Sequence, residues 1–210
     1  MFLFSPSASR EKNPISPGDP VAELVARAQG GDIEAFDRLV ERFQNRVYNL
    51  CLWQLGDADE AADAAQDAFV RAWRALPKFR GDCAFSTWMH RIAVNVARDA
   101  QSRRRQAPVA FSTLSGDQEP DFAERAPDDP NTRPAETAQR AERRRAVRRA
   151  LGEMPPHHRL VLVLFDIEGH SYDQVATILK LPMGTVKSRL NRARAALRDK
   201  LQECRELFED

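Results

Sequence analysis

Cysteine is scarce in this chain. Cys51, Cys83 and Cys204 are three thiols, far apart and without a C-x-x-C pair. An odd, scattered set excludes a disulfide framework and a cysteine zinc site, and suits small buried thiols in a reducing compartment. Histidine is nearly as sparse: the adjacent pair His157–His158 and the lone His90 and His170 lack the i, i+4 spacing of helical metal ligands, so no metal is assigned. Long apolar runs are missing too. MFLFSPSASR at the N-terminus has a four-residue apolar run with no positive region before it, and no stretch approaches the ~18 apolar residues of a membrane span. The expectation is a cytoplasmic chain that is neither exported nor membrane-inserted. A Gly-rich phosphate loop and a nucleophile–base pair are likewise absent, which argues against an enzyme and against a cofactor.

Net charge is also close to absent, at +1, with 42% hydrophobic and 30% charged residues, a soluble globular composition. The balance hides an asymmetry. Residues 21–106 hold 13 basic and 12 acidic groups, 107–136 hold 2 and 7, and 137–210 hold 15 and 10. A basic C-terminal segment suits a polyanionic partner.

Helical periodicity dominates the rest. Residues 1–18, rich in Ser and Pro, read as a disordered tail. Asp19-Pro20 opens a helix with Val21, Leu24, Val25 and Ala28 on one face, and Gly30-Gly31 stops it. Asp32 caps a second helix through about Leu55, with Phe36, Leu39, Val40, Phe43, Val47 and Leu50 inward. Asp57 and Glu60 form a capping-box-like start to a third helix that ends before Pro77, in which Ala62, Ala65, Phe69 and Trp73 mark the packing side. Phe79–Thr87 reads as a loop with exposed aromatics, Phe79 and Phe85, able to stack on an unpaired base. Ser86 then caps a helix over Thr87–Ser102. Trp88, Met89, Ile92, Ala93, Val96 and Ala100 fill its apolar half, while Arg91, Asn95, Arg98 and Ser102 gather opposite. Two cations there suit phosphates, and an amide suits a base edge.

Residues 107–136, with five prolines and seven acids, read as a flexible acidic linker. A basic helix follows from Ala135 to Pro155-Pro156, then an apolar helix to Gly169. SYDQVATILKL, the turn LPMG and TVKSRLNRARAALRDKL make a helix-turn-helix signature. Val186, Leu190, Ala193, Leu197 and Leu201 form the apolar stripe of its second helix. Ser188 stands opposite, flanked by Thr185, Lys187, Asn191 and Arg192, with Arg194 nearer the groove wall. The predicted fold is all-α: two small helical domains, 19–106 and 137–210, joined by the linker.

The phrase FRGDCAFSTWMHRIAVN resembles the promoter-melting segment of the extracytoplasmic-function (ECF) class of the sigma-70 family, the dissociable sigma subunits of bacterial RNA polymerase. EGHSYDQVATILKLPMGTVKSRLNRARAALRDKL resembles the -35-binding domain of the same class, in the right order and separation. D-x-x-Q-D at Asp63, Gln66 and Asp67 is similar to the helix by which sigma factors grip the coiled-coil of the polymerase β′ subunit. The resemblance implies an alternative sigma factor whose partners are core RNA polymerase (β′ coiled-coil and β subunit), promoter DNA and, as is usual for the class, an anti-sigma factor. It implies -10 contacts by Phe79, Arg80, Phe85, Arg91, Asn95 and Arg98, and -35 contacts by Thr185, Lys187, Ser188, Asn191, Arg192 and Arg194. The linker would thread through polymerase toward the RNA exit path. Cys83 and His90 stand where the class more commonly has small polar or aromatic residues, and Asn191 lies at a variable base-facing position, departures that touch promoter sequence.

Two other functions fit parts of the pattern. A stand-alone helix-turn-helix regulator would use residues 170–201 but leave the aromatic loop and the D-x-x-Q-D helix idle. A recombinase or nuclease would need a nucleophile in an arginine cluster or a carboxylate metal site within 21–106. Tyr48 lies instead among apolar neighbours, and the acids are scattered along helix faces.

Overall fold

The computed structural model describes residues 19–106 and 134–202, which are all-α, with no strand among them. The N-terminal domain is built from α1 (Pro20–Gln29), α2 (Ile33–Leu55), α3 (Ala58–Ala75) and α4 (Phe85–Gln106). Three aspartates start its first three helices by accepting backbone N–H bonds: Asp19 from Val21 at 2.9 Å, Asp32 from Ala35 at 3.0 Å and Asp57 from Glu60 at 2.9 Å. Gly56, at φ 77°, closes α2 in the left-handed conformation that a Cβ would strain.

Glu60 does not complete a capping box. Its carboxylate lies 3.5 Å from the Arg104 guanidinium on α4, an attraction between helices that replaces the local one. The packing face of α3 is also rotated from the expected one. Ala61, Ala64, Ala65, Ala68 and Ala72 are buried while Ala62 is exposed, because small side chains let α3 lie close to α2 and α4. The core runs through Leu39, Phe43, Val47, Leu50, Met89 and Ala93. Cys51 is fully buried, and burial pushes its thiol up to about 12, so it serves as an unreactive packing group.

Helix α4 starts at Phe85, two residues before the predicted start, and runs on to Gln106. Its apolar surface is wider than the single half expected. Val94 and Ala97 are fully buried beside His90, whereas Ile92 and Ala100 are partly exposed. The reason is that α4 packs against α2, α3 and also α7 of the C-terminal domain.

That domain comprises α5 (Pro134–Gly152), α6 (Pro156–Leu162), α7 (Tyr172–Leu179) and α8 (Met183–Leu201). Helix α5 begins inside the stretch expected to be linker. The expected tail 1–18, and the remainder of the linker from 107 to 133, lie outside the described residues. The apolar run after α6 loosens into a π-helical turn, Val163–Ile167, ended by Glu168 N–H donating to Val163 O at 2.8 Å. Ser171 and Gln174 form a full capping box on α7, and Lys180 adopts φ 54° to turn the chain into α8.

Candidate nucleic-acid interface

In α8 the burial pattern decides which side chains face outward. Val186, Leu190, Ala193, Leu197 and Leu201 are all buried against α6, α7 and α5, which fixes the helix's rotation. Lys187, Ser188, Asn191 and Arg192 are therefore exposed on the other side, with Thr185 half-buried at its start. Ser188 Oγ donates to Thr185 O at 3.0 Å, so the exposed hydroxyl keeps its capacity to accept. Lys187 reaches over the Tyr172 ring, 5.5 Å from its centroid, a contact that steadies a long side chain without neutralising it. Arg194 departs from the phosphate-facing position expected of it. Its guanidinium is hydrogen-bonded to the Asp166 carboxylate and lies 5.3 Å from the Phe165 ring centroid, so here it braces α8 against the π-helical turn.

The aromatic loop also departs from expectation. Phe79 and Phe85 are buried rather than exposed, at 9% and 2%. Phe79 packs on Trp88 at 4.9 Å between centroids, Phe85 on Trp88 at 5.6 Å and on Phe43 at 5.3 Å. Two large rings gain more by leaving water than by waiting in it for a base. Neither ring stacks on a base from this conformation. The polar groups of the segment do face outward: Arg80 and Arg98 are exposed, and Arg91 and Asn95 are half-exposed.

On α3, Asp63 and Gln66 are exposed and Asp67 is half-buried. Asp67 lies 3.0 Å from Arg71, which also hydrogen-bonds Asp99 on α4 at 3.0 Å. The D-x-x-Q-D face is thus presented outward with one acid already paired.

Sequence reasoning missed two positioning residues. Gln29, the last residue of α1, donates from Nε2 to Leu76 O at 3.1 Å and Phe79 O at 2.7 Å, tying the aromatic loop to the first helix. A polar residue just before Gly30-Gly31 was the available signal. Arg159 donates to Gly152 O and Met154 O at 2.7 and 2.9 Å and, across the domains, to Trp53 O at 2.8 Å. Its signal was a lone cation entering the apolar run RLVLVLF.

Residues 39–107 match the family described as Sigma-70 region 2, and residues 144–197 match Sigma-70, region 4. The RNA polymerase sigma-H factor of Pseudomonas aeruginosa is 39% identical over 180 residues, 86% of this chain and 93% of that protein. The chain belongs to the ECF class of the sigma-70 family. The ECF RNA polymerase sigma-E factor of Escherichia coli K12 is 37% identical over 182 residues, 85% of this chain and 93% of that protein. Among solved structures, CnrH in complex with the cytosolic domain of CnrY superposes with a TM-score of 0.60 at 29% identity, covering 88% of this chain and 99% of that one. The sigma factor RpoE in complex with the anti-sigma factor NepR from Bartonella quintana superposes at 0.58, covering 80% and 96%; at 19% identity that likeness is one of fold. This ECF sigma factor directs transcription initiation with core RNA polymerase on promoter DNA, as a regulator. Among the described residues, no helix is long and apolar enough to cross a membrane.

Proposed function

We propose that this sigma factor selects promoters by reading a -35 element with α8 and a -10 element with the start of α4, and that it traps the melted -10 strand. Residues 19–106 then act as region 2 and 137–210 as region 4, connected through 107–136. The observation that carries the proposal is the outward polar face of α8, where Lys187, Ser188, Asn191 and Arg192 stand opposite a fully buried stripe. A helix rotated this way presents its first turns to a major groove, where Arg pairs with guanine and Ser or Asn with several base edges. Thr185 lies at the groove entrance, and Arg194 reaches phosphate only by leaving Asp166.

For the -10 element, Arg80, Arg91 and Arg98 meet phosphates and Asn95 meets a base edge. Phe79 and Phe85 keep the loop in shape from beneath, with Gln29 holding the Phe79 carbonyl. Asp63, Gln66 and Asp67 dock on the β′ coiled-coil, the carboxylates fixing register more than affinity. An anti-sigma factor is the partner that the class implies for the unengaged protein.

The test compares Asn95→Ala with its parent in open-complex formation by holoenzyme. On duplex promoter the variant is expected to open fewer complexes, and a pre-melted -10 bubble is expected to restore the share of the defect due to opening. Equal open-complex formation by both proteins would remove Asn95 from the -10 site.

A further inference from the structure

His90 and His170 come together where the two domains meet. His90, on α4, and His170, just before α7, are 80 residues apart in sequence, yet His90 Nδ1 and His170 Nε2 are 2.7 Å apart with the rings nearly perpendicular. Both are buried, at 1% and 4% exposure. Around them stand Glu168, whose carboxylate is 3.9 Å from His90 Nε2 and buried, and Arg46 of α2, 3.9 Å from the same carboxylate. Arg46 already balances Glu168, so the cluster is neutral only while both imidazoles are neutral. At 3.9 Å Glu168 makes no hydrogen bond to His90, whose Nε2 has no partner.

We propose that the His90–His170 pair is an acid-sensitive latch between the domains, closed while both imidazoles are neutral and released when one is protonated. A first added proton goes to a ring nitrogen outside the contact and spares the hydrogen bond itself; it acts instead by leaving a net charge in a buried site. Burial first, then His170 and Arg46, hold the His90 imidazole well below the usual histidine range. The sign follows. A group whose closed-state proton affinity is depressed favours the closed form at high pH, and that preference is lost as pH falls through the open-state value near 6.5. Between pH 7.5 and 5.5 the closing equilibrium should weaken about ten-fold for that one imidazole.

The consequence rests on the proposed promoter reading. Elements at -35 and -10 are centred about 25 base pairs apart, roughly 85 Å along a duplex at 3.4 Å per base pair. Domains joined through α4 and α7 cannot occupy both, so an opened latch is the DNA-competent form.

Small-angle scattering of the full chain at pH 7.5 and 5.5, with helical content followed by circular dichroism, tests this without reference to transcription. The chain has four histidines, and the double variant His90→Gln/His170→Gln leaves His157 and His158 in place. The parent is expected to show a larger radius of gyration at pH 5.5 with its helices intact, and the double variant the same radius at both values. An unchanged parent, an expansion accompanied by helix loss, or a variant that still responds would each overturn the latch. None of these outcomes bears on promoter recognition, which the transcription assays decide separately.

Discussion

Ser188 and Arg192 stand one helical turn apart on the outward face of α8, and the two kinds of contact available there separate by experiment. In holoenzyme at fixed salt, Arg192→Ala should cost roughly 1–3 kcal/mol on the preferred -35 sequence and relax preference at one base position. Lys187→Ala should weaken all sequences alike and flatten the salt slope by about one. A randomised -35 selection that returns the same preference for Arg192→Ala as for the parent would move base reading to Asn191 or Thr185. The aromatic loop separates in a different way. Phe79→Ala removes a ring buried against Trp88 and Phe85, so it should lower the melting temperature together with activity, by an amount near the roughly 3–5 kcal/mol of buried Phe truncations. Asn95→Ala, on a half-exposed position, should lower activity alone. Equal thermal stability of Phe79→Ala and its parent would return Phe79 to the list of base-stacking groups. The outward polar residues of α8 were legible in the sequence because a five-residue apolar stripe fixes the rotation. The burial of Phe79 and Phe85 was not, since a ring beside a glycine and an aspartate looks the same in sequence whether it seals a core or awaits a base.

At the scale of elements, α3 carries a prediction for polymerase docking. Asp67→Lys sets a cation against a basic coiled-coil and removes the Asp67–Arg71 pair, a contact worth little to stability because water and salt still reach and screen it. Core binding in a competition pull-down should fall while helical content stays the same; equal binding by variant and parent would dismiss this face as the docking surface. In α7, Ser171→Ala removes one half of a complete capping box and should lower stability by about 1 kcal/mol in urea unfolding. An unchanged midpoint would mean that water replaces the hydroxyl at no cost. Helix starts were readable because Asp19, Asp32, Asp57 and Ser171 precede apolar periodicity, and the buried faces of α1 and α2 followed. The rotation of α3 escaped because alanine marks both a tight contact and a tolerated surface. The π-helical turn at Val163–Ile167 escaped because nothing in an apolar run says that one more residue is fitted into the turn.

For the whole molecule, sequence showed two helical domains but not their contact. Periodicity reports the face an element buries, and α4 buries two: one in its own domain and one toward α7. His90 lies on that second stripe, and the position of His170 across the domains explains its burial. The central claim concerns the two domains acting together, each on its own promoter element. The most direct measurement is transcription by purified core polymerase, with and without the full chain, on a library randomised across the -35 and -10 regions. The account predicts that the chain confers initiation on templates that share two sequence blocks, one at each region, and that Arg192→Ala blurs the upstream block while Asn95→Ala depletes initiation dependent on the downstream one. Transcripts no more frequent or selective than those of core polymerase alone, or enrichment of the upstream block without initiation, would contradict it.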